Sequence, residues 1–220
     1  MWAERTTVVA RATYLYHCFF NHVINTPEYF TIYREIKMTI EELFTTRRQI
    51  RSFDSEKIPS RELIEDLLHK TFSLTPSKQN IFPYSVHVIG PEHYALKDEL
   101  YLLSQHLGQT SNTQSLAPYN LLFTPRLAKP NSFSNEIAQV NIEVGMFSAI
   151  LTGLCVEQGL SVGYMLCYKD DVSYWTNFPN DGLRVEFTMH IGYADDAVRP
   201  FISESKPEYD EVINWYKAIK

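Results

Sequence analysis

The chain has 220 residues, 45% of them hydrophobic and 14% aromatic, which is enough for one good-sized core or two small ones. Charged residues make up 21% and form no block of one sign long enough to suggest a disordered tail. The formal net charge of −6 excludes general binding of nucleic acid or other polyanions, so any anion recognition must be local.

Residues 1–37 are aromatic and irregular, with neither a helical nor an alternating period. Within them, TTVVARATYLYHCFFNHVI comes nearest to a targeting signal. Arg11, His17, Asn21 and His22 interrupt its apolar run, and no small-residue cleavage site follows. No run of about 18 apolar residues occurs, so no membrane span is expected. Residues 1–37 therefore read as an N-terminal extension on a domain of residues 38–220.

Met38 opens a stretch with a helix start. Thr39 can cap, Glu41 and Glu42 occupy the first turn, and Ile40, Leu43 and Phe44 share a face. A second helix is predicted from Ser60 to Phe72 after Pro59, with Leu63, Ile64, Leu67 and Leu68 as its apolar stripe. Tyr84–Gly90 alternates like a strand. HYALKDELYLLSQHL is helical, and Ala117–Thr124 reads as a strand buried on both faces. Ser134 can cap the longest helical pattern, Asn135–Leu160. Its apolar positions cover most of the circumference, so it should be buried in the core or against a second subunit. SVGYMLCY and GLRVEFTMHIGYA are two further strands, and PEYDEVINWYKAIK is a closing amphipathic helix. The order predicts an α+β fold with a mixed central sheet flanked by helices.

Two stretches carry candidate chemistry. Arg47, Arg48 and Arg51 crowd three cations into five positions. They suit a helix C-terminus, where the dipole favours cations, and equally a phosphate, which accepts paired guanidinium donors. Pro76, Ser77, Lys78 and Asn80 form an ordinary turn by composition. The Asn80 amide also offers a donor and an acceptor to a heteroaromatic edge carrying both.

The ordered set RRxxR, Ile58-Pro59, PSxxN and Pro83-Tyr84, extended by Phe53 and Asp54, resembles the nitroreductase family of flavin enzymes. APYNLLFT, the long helix and MHIGYADD follow in the family's order, so the resemblance runs from about Met38 to the C-terminus. It implies a homodimer holding FMN non-covalently at the subunit interface, with the long helix at that interface. Arg47, Arg48 and Gln49 would then take the phosphate side, and Arg51 would reach the N1/O2 edge. Asn80 would meet the pyrimidine, while Pro76, Ser77 and Lys78 line the site. Lys206, or Arg199 in its stead, would supply a C-terminal cation for the phosphate. Leu166 and Cys167 fall where some members place a Glu-Gly pair against the flavin's reactive edge. Gln49, Phe82 and Tyr84 depart from the family's Ser, Gln and Trp. The implied activity is ping-pong hydride transfer from NAD(P)H through flavin N5 to a small organic acceptor, such as a nitroaromatic or quinone. It needs no catalytic side chain. A flavin-binding carrier or sensor without turnover, and a module that holds phosphate without redox chemistry, stay open beside it.

Seven scattered histidines show no metal spacing. Cys18, Cys155 and Cys167 are odd in number and form no CxxC, which suggests free thiols in a reducing, cytoplasmic setting.

Overall fold

The computed structural model describes residues 38–104, 113–126, 137–166, 185, 187–195, 208 and 212–213. The expected strand and helix ends beyond these, and most of the closing helix, lie outside the described residues. The chain divides into two compact units, Met1–Thr45 and Thr46–Lys220.

In the first unit, Thr39 and Glu42 build the capping box that their spacing allows at the start of α1 (Ile40–Thr46). The Glu42 amide donates to Thr39 Oγ1 at 3.2 Å, and the Thr39 amide returns a bond to the Glu42 carboxylate at 2.7 Å. That amide, and the Thr39 hydroxyl donating to the same carboxylate at 2.9 Å, hold the Glu42 carboxyl below its usual range.

The second unit opens its first helix, α2 (Arg61–Leu74), on Ser60, whose hydroxyl accepts from the Leu63 amide at 3.2 Å. Ile64, Leu67 and Thr71 are its buried face. It runs two residues beyond the expected Phe72 and stops at Thr75, because the residue before a proline is pushed out of helical geometry. A single 3-10 turn, Lys78–Asn80, leads to β1 (Tyr84–Ile89). Helix α3 (Tyr94–Ser104), a second 3-10 turn (Thr113–Leu116) and β2 (Tyr119–Pro125) follow. The long α4 (Ile137–Glu157), β3 (Ser161–Met165) and β4 (Phe187–Gly192) complete the described elements.

The strands form one sheet in the order β1-β2-β4-β3, and each neighbouring pair is antiparallel. A parallel contact exists outside these strands, an isolated bridge from Gln49 to Val162. The α+β class stands. Among the described residues the named strands pair antiparallel throughout, and a helix between two strands permits that return as readily as a parallel one.

The layers follow the period of two along each strand. Tyr119, Leu121 and Phe123 of β2 meet Ile64 and Leu67 of α2 and the face Val140, Val144, Phe147, Leu151 and Cys155 of α4. On the other face Leu122 joins Ile89, Met165 and the α3 residues Leu100 and Leu103. The first six residues of β2 are buried, as its unbroken apolar run requires.

Helix α4 is apolar enough to cross a membrane by length and composition, with a mean hydropathy of 1.4 over Ala138–Glu157. Half of that stretch is buried. Ala138, Ile142, Gly145 and Ala149 recur at helical spacing along its outer side and are exposed, Ile142 at 65%. The helix ends on Gly159 at φ 70°, where the Leu160 amide reaches back to the Cys155 carbonyl at 2.9 Å.

Several titratable groups are buried within the layers. His190 lies between the Asn120 side-chain oxygen at 2.5 Å and the Thr188 hydroxyl at 3.1 Å, and its complete burial pushes its pKa down to about 3. Lys97 donates to the Pro118 carbonyl at 2.7 Å, and burial lowers it to about 8. Cys155 is a buried free thiol pushed up to about 12, a packing residue rather than a nucleophile.

Candidate functional site

The arginine segment is laid along the sheet by its own backbone. Gln49 bridges Val162 in parallel, and the Ile50 amide donates to the Val162 carbonyl at 3.1 Å. Farther on, Phe53 pairs antiparallel with Ala194, and the Asp54 amide donates to the Tyr193 carbonyl at 2.9 Å. The Asp195 amide returns to the Ser52 carbonyl at 3.2 Å, and the Thr113 hydroxyl binds the Arg51 carbonyl at 2.9 Å.

This approach depends on Gly163. A Cβ there would stand 2.3 Å from the Ile50 carbonyl oxygen and 2.7 Å from the Gln114 side chain. Gln49 uses its amide nitrogen inward, donating to Gln114 Oε1 at 3.2 Å and to the Tyr164 carbonyl at 2.9 Å. The bulk that departs from the family's Ser thus ties the segment to β3. The Arg47 guanidinium lies 6.0 Å from the centre of the Tyr164 ring, within cation–π range. That ring is fixed from beneath, because its hydroxyl hydrogen-bonds Thr152 of α4. Arg47 and the exposed Arg48 form no ion pair with any described residue. Neither charge is offset by an acidic side chain among the described residues.

The second stretch is held elsewhere. The Lys78 amide donates to Glu143 of α4 at 3.2 Å, and the Ser77 hydroxyl accepts from the Phe82 amide at 2.8 Å. Asn80 is exposed and left-handed at φ 55°, between Gln79 at 57° and, two residues on, Phe82 at 48°. Glu143 and Thr152 are nine residues apart, roughly 13 Å along the axis of α4. The predicted residues therefore fall into two groups. Arg47, Arg48, Gln49 and Arg51 lie along the edge of the sheet, while Pro76, Ser77, Lys78 and Asn80 lie near the start of α4. Leu166 follows β3 directly and is 70% exposed. Cys167, Lys206 and Arg199 lie outside the described residues.

Sequence reasoning missed four residues that build these two groups: Gln114, Arg126, Glu143 and Tyr164. Glu143 had a signal. It stands in phase with Val140, Val144, Phe147 and Leu151, a carboxylate on a buried face. Gln114 and Arg126 had none, since each acts on a segment distant in sequence.

An apolar groove of about 460 Å³ lies beside the second group, lined by Leu68, Phe72, Phe82, Tyr84 and Phe147 among others. None of the predicted site residues lines it.

No protein-family model matches this chain, and no curated protein matches it. Solved structures do. A candidate NAD(P)H:FMN oxidoreductase of Staphylococcus epidermidis superposes with a TM-score of 0.66 at 12% identity, over 81% of this chain and 96% of its own. A candidate nitroreductase of Exiguobacterium sibiricum in complex with FMN gives 0.64 at 17% identity, over 81% and 98%. A nitroreductase-like protein of Streptococcus mutans gives 0.61 at 18%, over 80% and 97%. The chain has the nitroreductase fold.

Proposed function

We propose that this chain is an FMN-dependent oxidoreductase of nitroreductase type that works as a homodimer. The observation that carries this is the arginine segment, whose Arg47 and Arg48 form no ion pair with a described residue and stand at the edge of a fold that holds FMN in the Exiguobacterium protein. The residues present fit the cofactor. Arg47, Arg48 and the Gln49 backbone would hold the phosphate, with Lys206 adding a cation. Arg51 would face the N1/O2 edge and Asn80 the pyrimidine amide, while Pro76, Ser77, Lys78, Leu166 and Cys167 would complete the walls.

When bound, the flavin would supply hydride transfer from NAD(P)H to a small organic acceptor such as a nitroaromatic or quinone. The chain's own part is electrostatic. Arg51 would stabilise negative charge arising beside it. The exposed apolar stripe Ala138, Ile142, Gly145 and Ala149 on α4 supports a second copy packing there. The free, buried Cys155 agrees with a reducing, cytoplasmic setting.

The test is the absorbance spectrum of the freshly purified protein before and after anaerobic NADPH. A flavin band that bleaches, and returns with a quinone, is the expected result. Colourless protein that takes up no added FMN and sediments as a monomer ends the proposal. A band that NADPH and NADH both leave unchanged would reduce the chain to a flavin carrier.

A further inference from the structure

The loop from Pro76 to Phe82 adopts a backbone that its own residues disfavour. Gln79, Asn80 and Phe82 are all left-handed, and none is glycine. Such a conformation persists only where neighbours over-determine it. Here two opposite charges act on the main chain from two elements. At the start of the loop, Glu143 Oε1 accepts from the Lys78 amide at 3.2 Å, and from Gln139 Nε2 at 3.0 Å. At its end, Arg126 Nη2 donates to the Ile81 carbonyl at 2.5 Å and to the Phe82 carbonyl at 3.0 Å. Arg126 Nε adds a bond to the Phe82 carbonyl at 3.2 Å.

Glu143 is an expensive way to hold a loop. It is 2% exposed on a face of α4 that otherwise packs Val140, Val144 and Phe147. Its second oxygen, Oε2, has no hydrogen-bond partner among the described residues, and neither has the buried hydroxyl of Tyr84. The Glu143 charge adds to the burial that raises the Tyr84 phenol. An apolar residue would avoid the desolvation of that carboxylate. What it could not do is accept the Lys78 amide.

We propose that Glu143 and Arg126 are positioning residues for the cofactor, gripping the two ends of a strained loop so that the Asn80 amide is presented to the flavin's pyrimidine edge. This rests on the flavin assignment above. Neither residue touches the cofactor; both act through Asn80. The clamp exchanges buried charge for a loop conformation that does not need to be formed when the cofactor arrives.

The test uses the full chain. FMN affinity is read by quenching of flavin fluorescence, and hydrogen exchange of the amides of residues 78–82 is read without FMN. Glu143→Ala is expected to weaken FMN affinity about tenfold, the loss of one buried hydrogen bond, and to speed exchange across the loop. Glu143→Gln keeps an acceptor oxygen and should stay within about threefold of wild type. Gln79→Gly relieves the left-handed strain without touching the proposed contacts. Added to Glu143→Ala, it should restore most of the affinity, which a merely structural role for Glu143 would not allow.

Arg126 is exposed, so Arg126→Ala with and without Gln79→Gly carries the same test if Glu143→Ala fails to fold. Wild-type affinity in Arg126→Ala and in a folded Glu143→Ala, with FMN bound normally by the wild type, overturns the clamp and leaves the flavin assignment standing. Failure of Gln79→Gly to rescue either variant overturns it as well. A wild-type chain that takes up no FMN removes both.

Discussion

The two halves of the candidate site are held by different physics. The arginine segment borrows the sheet: its amides and carbonyls pair with Val162, Tyr193 and Asp195, as an added strand would. The loop around Asn80 has no such ladder and depends on single side chains, Ser77, Arg126 and Glu143, to oppose its strain. A ladder survives most side-chain changes because its donors and acceptors are main-chain groups. A clamp fails when one atom is lost. The proposed phosphate end of the site should therefore tolerate substitution at its anchors, and the proposed pyrimidine end should not.

The largest expected effect attacks the ladder at its one weak point. Gly163→Val puts a side chain where the Ile50 carbonyl and the Gln114 amide already stand. The segment must move away from β3, and the chain should lose about 3 kcal/mol, read from a shift in urea midpoint at constant slope. A midpoint equal to wild type would mean that the Arg47–Asp54 segment does not rest on β3.

Next in size is the response to acid. His190 sits in β4 with Asn120 of β2 on one ring nitrogen, in the part of the sheet that supports the arginine segment. Its folded pKa, near 3, is below the ordinary value of 6.5. The unfolded chain thus binds a proton that the folded chain refuses, and stability falls as pH drops from 6.5 towards 3. The slope approaches about 1.4 kcal/mol per pH unit from this residue. Lys97 acts at the other end. Its value of about 8 lies below 10.5, so folding gains stability as pH rises from 8 towards 10.5. Urea midpoints measured across pH should show both slopes. His190→Leu that leaves the acid slope unchanged would assign it to other groups.

Arg48→Ala gives a smaller and more selective effect. Its side chain is exposed and makes no ion pair with a described residue, so stability should stay within about 0.5 kcal/mol. FMN affinity should fall about tenfold or more through loss of a charge-assisted bond to phosphate. Titration with FMN and with riboflavin, which lacks the phosphate, separates the causes. The loss should appear with FMN and vanish with riboflavin.

How much of this was readable from the residues follows the same division. The ladder side follows local rules. The Ser60 cap, the apolar run of β2, the long α4 and the crowded arginines each declare themselves within a short window. The clamp side does not. Gln79, Asn80 and Phe82 are left-handed without a glycine to announce it, because the cause lies in Glu143 and Arg126, more than forty residues away. The antiparallel return from β1 to β2 was equally hidden, since α3 between them is compatible with either direction. Gln49 was read as a contact for the phosphate, yet its side-chain nitrogen is spent on Gln114 and the Tyr164 carbonyl, which only the register with β3 reveals.

The smallest effect sharpens the division most. Tyr164 is the place where the ladder side also uses a side chain, its ring beneath the Arg47 guanidinium and its hydroxyl on Thr152. Two substitutions separate these roles. Tyr164→Phe keeps the ring and loses the hydroxyl bond, so stability should drop by about 1 kcal/mol while FMN affinity holds. Tyr164→Leu also removes the aromatic face that orients Arg47, a contact worth about 0.5–1 kcal/mol, so FMN affinity should fall two- to fivefold beyond the Phe variant. If main-chain pairing alone places Arg47, Phe and Leu will bind FMN equally. The phosphate end would then owe nothing to side chains packed on it, in full contrast to the loop that presents Asn80.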